Sequence, residues 1–171
     1  MKQITDADLT ALASFDRLSA IAKYDLTNPD LVEELDAIAA NTAEQLRQPI
    51  ALTNLLLDTA AVVRGSYGLE GYGDAANVPI EWSFCVKAVR SGNPQVVPDM
   101  CRDPDEHDNP LVVHQGVRSY AGVPLSTPDG QVIGTHCVIG REPREFTDVE
   151  LATLSTAAAE VLTTLERYPR E

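Results

Sequence analysis

Basic residues are scarce in this chain: 13 Lys and Arg stand against 26 Asp and Glu, for a formal net charge of −13. Nucleic acid and anionic membrane surfaces are held by clustered cations, so neither is an expected partner. The charge favours solubility and suits a basic protein partner. Cysteine is scarce as well. Cys85, Cys101 and Cys137 are an odd number at no repeating spacing, which excludes a disulfide framework and points to a reducing compartment. No apolar run approaches the roughly 18 residues of a membrane span. The opening MKQITDADLT lacks the apolar core of a secretory signal. A cytoplasmic location is therefore expected. Internal repeats and low-complexity linkers are also missing, and 171 residues suit one domain.

What is present is a regular alternation of capped helices and short strands. Thr5 to Asp8 resembles a capping box with Asp in place of Glu, and Leu9, Leu12, Phe15, Leu18 and Ile21 follow at helical spacing. This predicts one N-terminal helix over Ala7–Ile21. Asn28 and Pro29 open a second helix, with Leu31, Leu35, Ile38, Thr42 and Leu46 on one stripe. Ile50–Leu57 and Ala60–Arg64 read as strands, the first without strict alternation, as expected when both faces are covered. Gly65–Asn77 is glycine-rich but lacks the Lys-Ser/Thr of a phosphate loop, and reads as a flap over the sheet. Ser83 caps a short helix ending at Gly92, and Gln95–Val97, between prolines, is an edge strand. Thr147 and Glu150 make a capping box for the last helix, and Phe146 with Leu151 supplies the hydrophobic staple. Leu151, Leu154, Ala158, Val161 and Leu165 then form a seam. That seam, with the extra N-terminal helix, predicts a homodimer through the terminal helices.

The organising stretch is Asn109 to Arg141. Asn109 caps a short helix that Gly116 ends. Ser119–Leu125 and Gln131–Ile139 are strands joined by Thr127-Pro128-Asp129-Gly130, where Pro128 presets a type I turn and Gly130 takes the left-handed position. Alternation puts Ile133, Thr135, Cys137 and Ile139 on one face and Val132, Gly134, His136 and Val138 on the other. Gly122 and Gly134, inside the strands, are read as clearing space for a ligand.

The segments NPLV, VRSYAGVPLSTPDG and IGTHCVIG, with SFCVKAVRSGNPQVVPD and RLSAIAKYDL upstream, resemble the GAF domains of bacterial sensor kinases and cyclases. The resemblance implies an α+β fold: a central antiparallel sheet, terminal helices packed on one face, and loops and short helices forming a pocket on the other. It implies one domain over residues 1–171, with a helical extension over 1–25 and a final helix over 148–168. The expected role is a non-catalytic sensory or regulatory module that binds a small molecule of unknown identity or engages a signalling protein.

Trp82, Phe84, Cys85, Asp99, His114, Arg118, Tyr120 and His136 are the candidate ligand-binding residues, with no catalytic group and no metal among the expectations. Other chemistries fit less well. Gly140-Arg141 stands where cyclic-nucleotide-binding GAF domains carry Asn-Lys, although Phe146 and Glu150 match. Cys101, near the bilin-attachment segment, has no adjoining His. Haem would rest on His114 or His136 alone. Cys101, His107 and His114 have no common zinc spacing. Free methionine-R-sulfoxide reductase, a lone GAF domain, is the enzyme alternative. Cys85 matches one of its cysteines, at a helix start whose field would lower its pKa. The segment Arg102–His136, however, contains no cysteine for the nucleophile, and Tyr120 replaces a substrate-binding Glu. Cys101 would be the substitute nucleophile.

Overall fold

The computed structural model describes residues 2–72 and 77–171. Six antiparallel strands form one sheet: β1 (Ile50–Leu56), β2 (Ala60–Tyr67), β3 (Asn77–Pro79), β4 (Gln95–Val97), β5 (Ser119–Ser126) and β6 (Val132–Gly140). Their order is β3-β2-β1-β6-β5-β4, so β1 and β6 are central and the proline-flanked β4 lies at an edge. Every residue of β1 is buried, which accounts for its unbroken apolar run. Gly130, at φ 87°, takes the left-handed position of the β5–β6 turn. The Gly65–Asn77 segment expected as a flap starts instead as the end of β2, through Tyr67, and closes by opening β3 at Asn77; residues 73–76 lie outside those described.

The α3 helix (Pro29–Leu46) and the α6 helix (Asp148–Glu166) cover one face of the sheet. Asn28 accepts from the Asp30 amide at the start of α3, and the Thr147–Glu150 capping box starts α6. Leu31, Leu35, Leu154, Val161 and Leu165 of these helices share one core with Ala51, Leu55, Val123 and Val138 of the sheet. The α6 seam is thus filled within the chain by α3 and the strands. Dimerisation loses that motive.

The N-terminal segment departs from the single helix expected. It forms α1 (Asp6–Leu12) and α2 (Phe15–Ala22), separated at Ala13-Ser14, where Ser14 has ψ 124°. Buried Arg17 donates to the carbonyls of both Leu12 and Leu56, fixing the break beside the end of β1. Ala20 and Ile21 join the helical core, whereas Leu12 packs into the core on the opposite face with Ile50 and Leu56. Leu9 and Phe15, counted in the apparent stripe, are 45% and 82% exposed. The spacing was helical, but its members do not share a buried face.

Candidate functional site

Three pieces cover the face opposite α3 and α6. They are the turn Ile80–Trp82 that follows β3, the short helix α4 (Val86–Ser91), and α5 (Pro110–Gln115). Between them and the strands lies a cavity of about 200 Å³. Its floor is Ile50, Leu52, Val63 and Ile139, and Trp82 and Phe84 stand at its wall. Leu111 and Gln115 reach it from α5. Among the described residues, no Asp, Glu, Lys, Arg or His lines it. Its polar groups are Asn77, Gln115, the Trp82 indole and the Tyr72 hydroxyl. The last is buried and has no hydrogen-bond partner among the described residues.

A second, polar cleft of about 330 Å³ lies beneath the N-terminal segment. Lys2 crosses its rim, donating to the Ser83 carbonyl and pairing with Glu106 at 2.7 Å. Asp8 pairs with Arg90 at 3.1 Å. Phe84 lines both spaces, and Tyr120 lines the polar one.

Behind Phe84 is a fully enclosed cluster around Cys85. Thr135 Oγ1 donates to Cys85 Sγ at 2.9 Å, and the Tyr120 hydroxyl lies 3.4 Å from the same sulfur. Asn54 Nδ2 is 3.6 Å from both Cys85 Sγ and Cys137 Sγ. Hydrogen bonds from Cys137 first, then from Thr135, Tyr120 and Ser83, hold the Cys85 thiol below its usual pKa, against the opposing effect of burial. Cys137, the donor of that pair, is pushed up, and burial raises Tyr120. Cys85 stands at the N-cap of α4, the helix start expected from sequence, and donor side chains lower its thiol.

The eight residues expected at one site therefore divide. Trp82 and Phe84 line the cavity, while Cys85 and Tyr120 form the layer behind it. Asp99 and Arg118 pair at 3.2 Å, and Asp99 also accepts from the Cys101 amide, so both tie down the chain between β4 and β5. His114 is exposed on the last turn of α5 and lines neither space. His136 lies on the opposite side of the sheet: Nε2 is 2.8 Å from Thr42 Oγ1 on α3, and Nδ1 is 3.0 Å from Thr53 Oγ1. Thr42 donates its own proton to the Ile38 carbonyl, so it accepts from Nε2–H and leaves Nδ1 to accept from Thr53. Burial keeps this imidazole neutral, with its pKa lowered to about 4.

Register explains the error about His136. Tyr120 pairs with Ile139, and Val123 pairs with His136, so Tyr120 and His136 face opposite ways. A bulge, in which Leu125 pairs with Gly134 and Ser126 with Val132, also turns Ile133 into the helical core, away from Cys137 and Ile139. The glycines do not clear ligand space either. A Cβ at Gly134 would lie 1.9 Å from the Asn54 carbonyl oxygen, and one at Gly122 would lie 2.1 Å from the Tyr120 hydroxyl. Protein atoms already fill both places. The lining residues not singled out from sequence were Leu52, Val63, Tyr72, Gln115 and Ile139, and of these only Tyr72 carries a titratable group.

The family model described as GAF domain matches residues 30–165. A cyclic di-GMP phosphodiesterase of Pseudomonas aeruginosa is 37% identical over 113 residues, covering 66% of this chain and 19% of that protein. Among solved structures, the type II free methionine-R-sulfoxide reductase of Thermoplasma acidophilum superposes with a TM-score of 0.68 at 16% identity, covering 85% of this chain and 98% of that one. The blue-light-absorbing form of the Thermosynechococcus elongatus PixJ GAF domain gives 0.65 at 23% identity, with 81% and 86% covered. The GAF domain of an Acinetobacter phosphoenolpyruvate-protein phosphotransferase gives 0.65 at 15%, with 95% of both chains covered. These structural likenesses speak to the fold alone. No helix among the described residues is long and apolar enough to cross a membrane. With the sheet, the cavity on one face and the match over most of its length, the chain belongs to the GAF domain family.

Proposed function

We propose that this chain is a non-catalytic sensory or regulatory GAF module whose cavity takes a small, neutral, largely apolar molecule. The observation that carries this reading is the cavity's lining, without one formally charged side chain among the described residues. Burying an ion there without a partner is costly, so cyclic nucleotides and zwitterionic amino acids are disfavoured. At about 200 Å³ the space is below the roughly 300–1,000 Å³ of drug-sized sites. The guest is therefore compact, with one polar atom for Gln115.

Occupancy reaches the helices through a single layer. Ile50, Leu52 and Ile139 touch the cavity, while their strand neighbours Ala51 and Val138 pack in the core beneath α3 and α6. A guest that prefers one packing of these helices shifts that equilibrium and alters what the outer helix faces present, to a second copy of the chain or to a basic signalling protein. The reductase alternative lacks support at the cavity, because Cys85 is walled off behind Phe84 and exposed Cys101 lines neither space.

The test is thermal unfolding with indole, cyclic GMP and free methionine sulfoxide as probes. Indole raises Tm, the other two leave it unchanged, and Val63→Phe, which fills the floor, removes the indole shift. A shift with cyclic GMP or methionine sulfoxide that survives Val63→Phe contradicts the reading.

A further inference from the structure

We propose that Cys85 and Cys137 are a peroxide-oxidisable pair that closes to a disulfide between the start of α4 and strand β6. This modification site stands apart from ligand binding in the cavity. Its first support is geometric: one amide nitrogen, Asn54 Nδ2, lies 3.6 Å from each sulfur, so the two are neighbours across a single group. The second is the donor set. Cys85 Sγ receives Thr135 at 2.9 Å with Tyr120 and Asn54 beside it, an arrangement that stabilises a thiolate and leaves a neutral thiol over-supplied with donors. The interaction with Cys85 and burial push the Cys137 thiol up, so it holds its own proton, which suits a resolving thiol.

Both cysteines are buried, at 4% and 1% exposure, so a bulky oxidised partner cannot reach them. Hydrogen peroxide is small enough. The polar cleft ends on Phe84 and Tyr120, and the Tyr120 hydroxyl already touches Cys85. Entry therefore requires movement of one side-chain layer. Exposed Cys101 has no second cysteine beside it, and in the native sequence it gives the reference for oxidant exposure.

The step balances. The Cys85 thiolate attacks one peroxide oxygen and the O–O bond breaks. Sulfur is oxidised to the sulfenic acid, and the departing hydroxide takes a proton to become water. The Cys137 sulfur then attacks Cys85 sulfur: the S–S bond forms, the S–O bond breaks, and the second hydroxide leaves as water with the Cys137 proton. Two thiols lose two electrons, and peroxide gains them. Because Phe84 precedes Cys85 and lines the apolar cavity, the new bond also bears on the ligand site.

The experiment uses the full chain carrying Cys101→Ser, so that copies cannot cross-link. Reduced protein is exposed to a small molar excess of hydrogen peroxide, quenched with N-ethylmaleimide in denaturant, and mapped by peptide mass spectrometry. The expected product is lighter by two hydrogens, contains peptides joined through Cys85 and Cys137, and reverts with dithiothreitol. Thr135→Val forms it about tenfold more slowly, the effect of losing one hydrogen bond to a charged sulfur. In Cys137→Ser, dimedone labels Cys85. Should that variant not fold, the disulfide yield and the Thr135→Val rate decide alone. Recovery of both cysteines as maleimide adducts, under exposure that oxidises Cys101 in the native sequence, overturns the proposal. So does a sulfenic acid trapped on Cys137 instead.

Discussion

His136 illustrates how a reactive residue type can serve packing alone. It is fully buried between Thr42 and Thr53, with both ring nitrogens satisfied. Its folded pKa of about 4 lies below the ordinary 6.5, so the unfolded chain binds the proton more readily. Its stabilisation is therefore complete above pH 6.5 and is lost as pH falls toward 4, by roughly 3 kcal/mol in all. Urea unfolding of the native sequence and His136→Gln across that window should show a steeper loss for the native chain; parallel curves contradict this. Gly134 makes a similar point. Its added Cβ would meet the Asn54 carbonyl at 1.9 Å, so Gly134→Leu should lower Tm sharply or prevent folding, and a stable variant contradicts the packing described. The alternation along β6 was legible in the sequence as far as His136 and Cys137. What could not be read was its register against β5, which depends on the bulge at Ile133 and decides which face is the helical one.

At the scale of elements, most caps were legible, Ser83 excepted: α4 starts from Cys85, and the Ser83 hydroxyl accepts from the Cys85 amide instead of capping the helix. Asn28, Asn109 and Thr147 each accept the helix amides their positions suggested, because capping depends on a few adjacent residues. Strands β5 and β6 and their turn followed for the same reason. The N-terminal helices did not, since the break at Ser14 is held by Arg17 reaching Leu56 on a distant strand, and local spacing carries no trace of that contact. The two long helices share one face, and Leu154 of α6 is wholly buried between α3 and the sheet. Leu154→Ala should cost about 2–5 kcal/mol by denaturant unfolding; a loss below that range would mean that the helices pack less tightly than described.

At the scale of the molecule, the sheet separates a packed face from one that carries open space, a division the sequence could not place. One face is closed by α3 and α6 into a dry core. The other carries the apolar cavity, the polar cleft, and the thiol cluster enclosed between them and the strands. A search for convergent polar groups finds the thiol cluster readily, through Cys85 and Tyr120. It passes over a cavity made of Leu52, Val63 and Ile139, which read as ordinary core. The proposed homodimer must use surfaces other than the filled α6 seam, and light scattering at high micromolar concentration checks it: a monomer mass removes it.

The cavity is proposed to admit a neutral guest. Trp82, the single tryptophan of the chain, stands at its wall and is 36% exposed, so its emission reports occupancy directly. Titration with nitrobenzene, neutral and planar, should quench this emission saturably in the native chain, with indole-sized apolar competitors shifting the curve and cyclic GMP leaving it unchanged. In Val63→Phe the quenching should become linear and collisional. Linear quenching in the native chain, or a saturable curve untouched by Val63→Phe, would contradict the account.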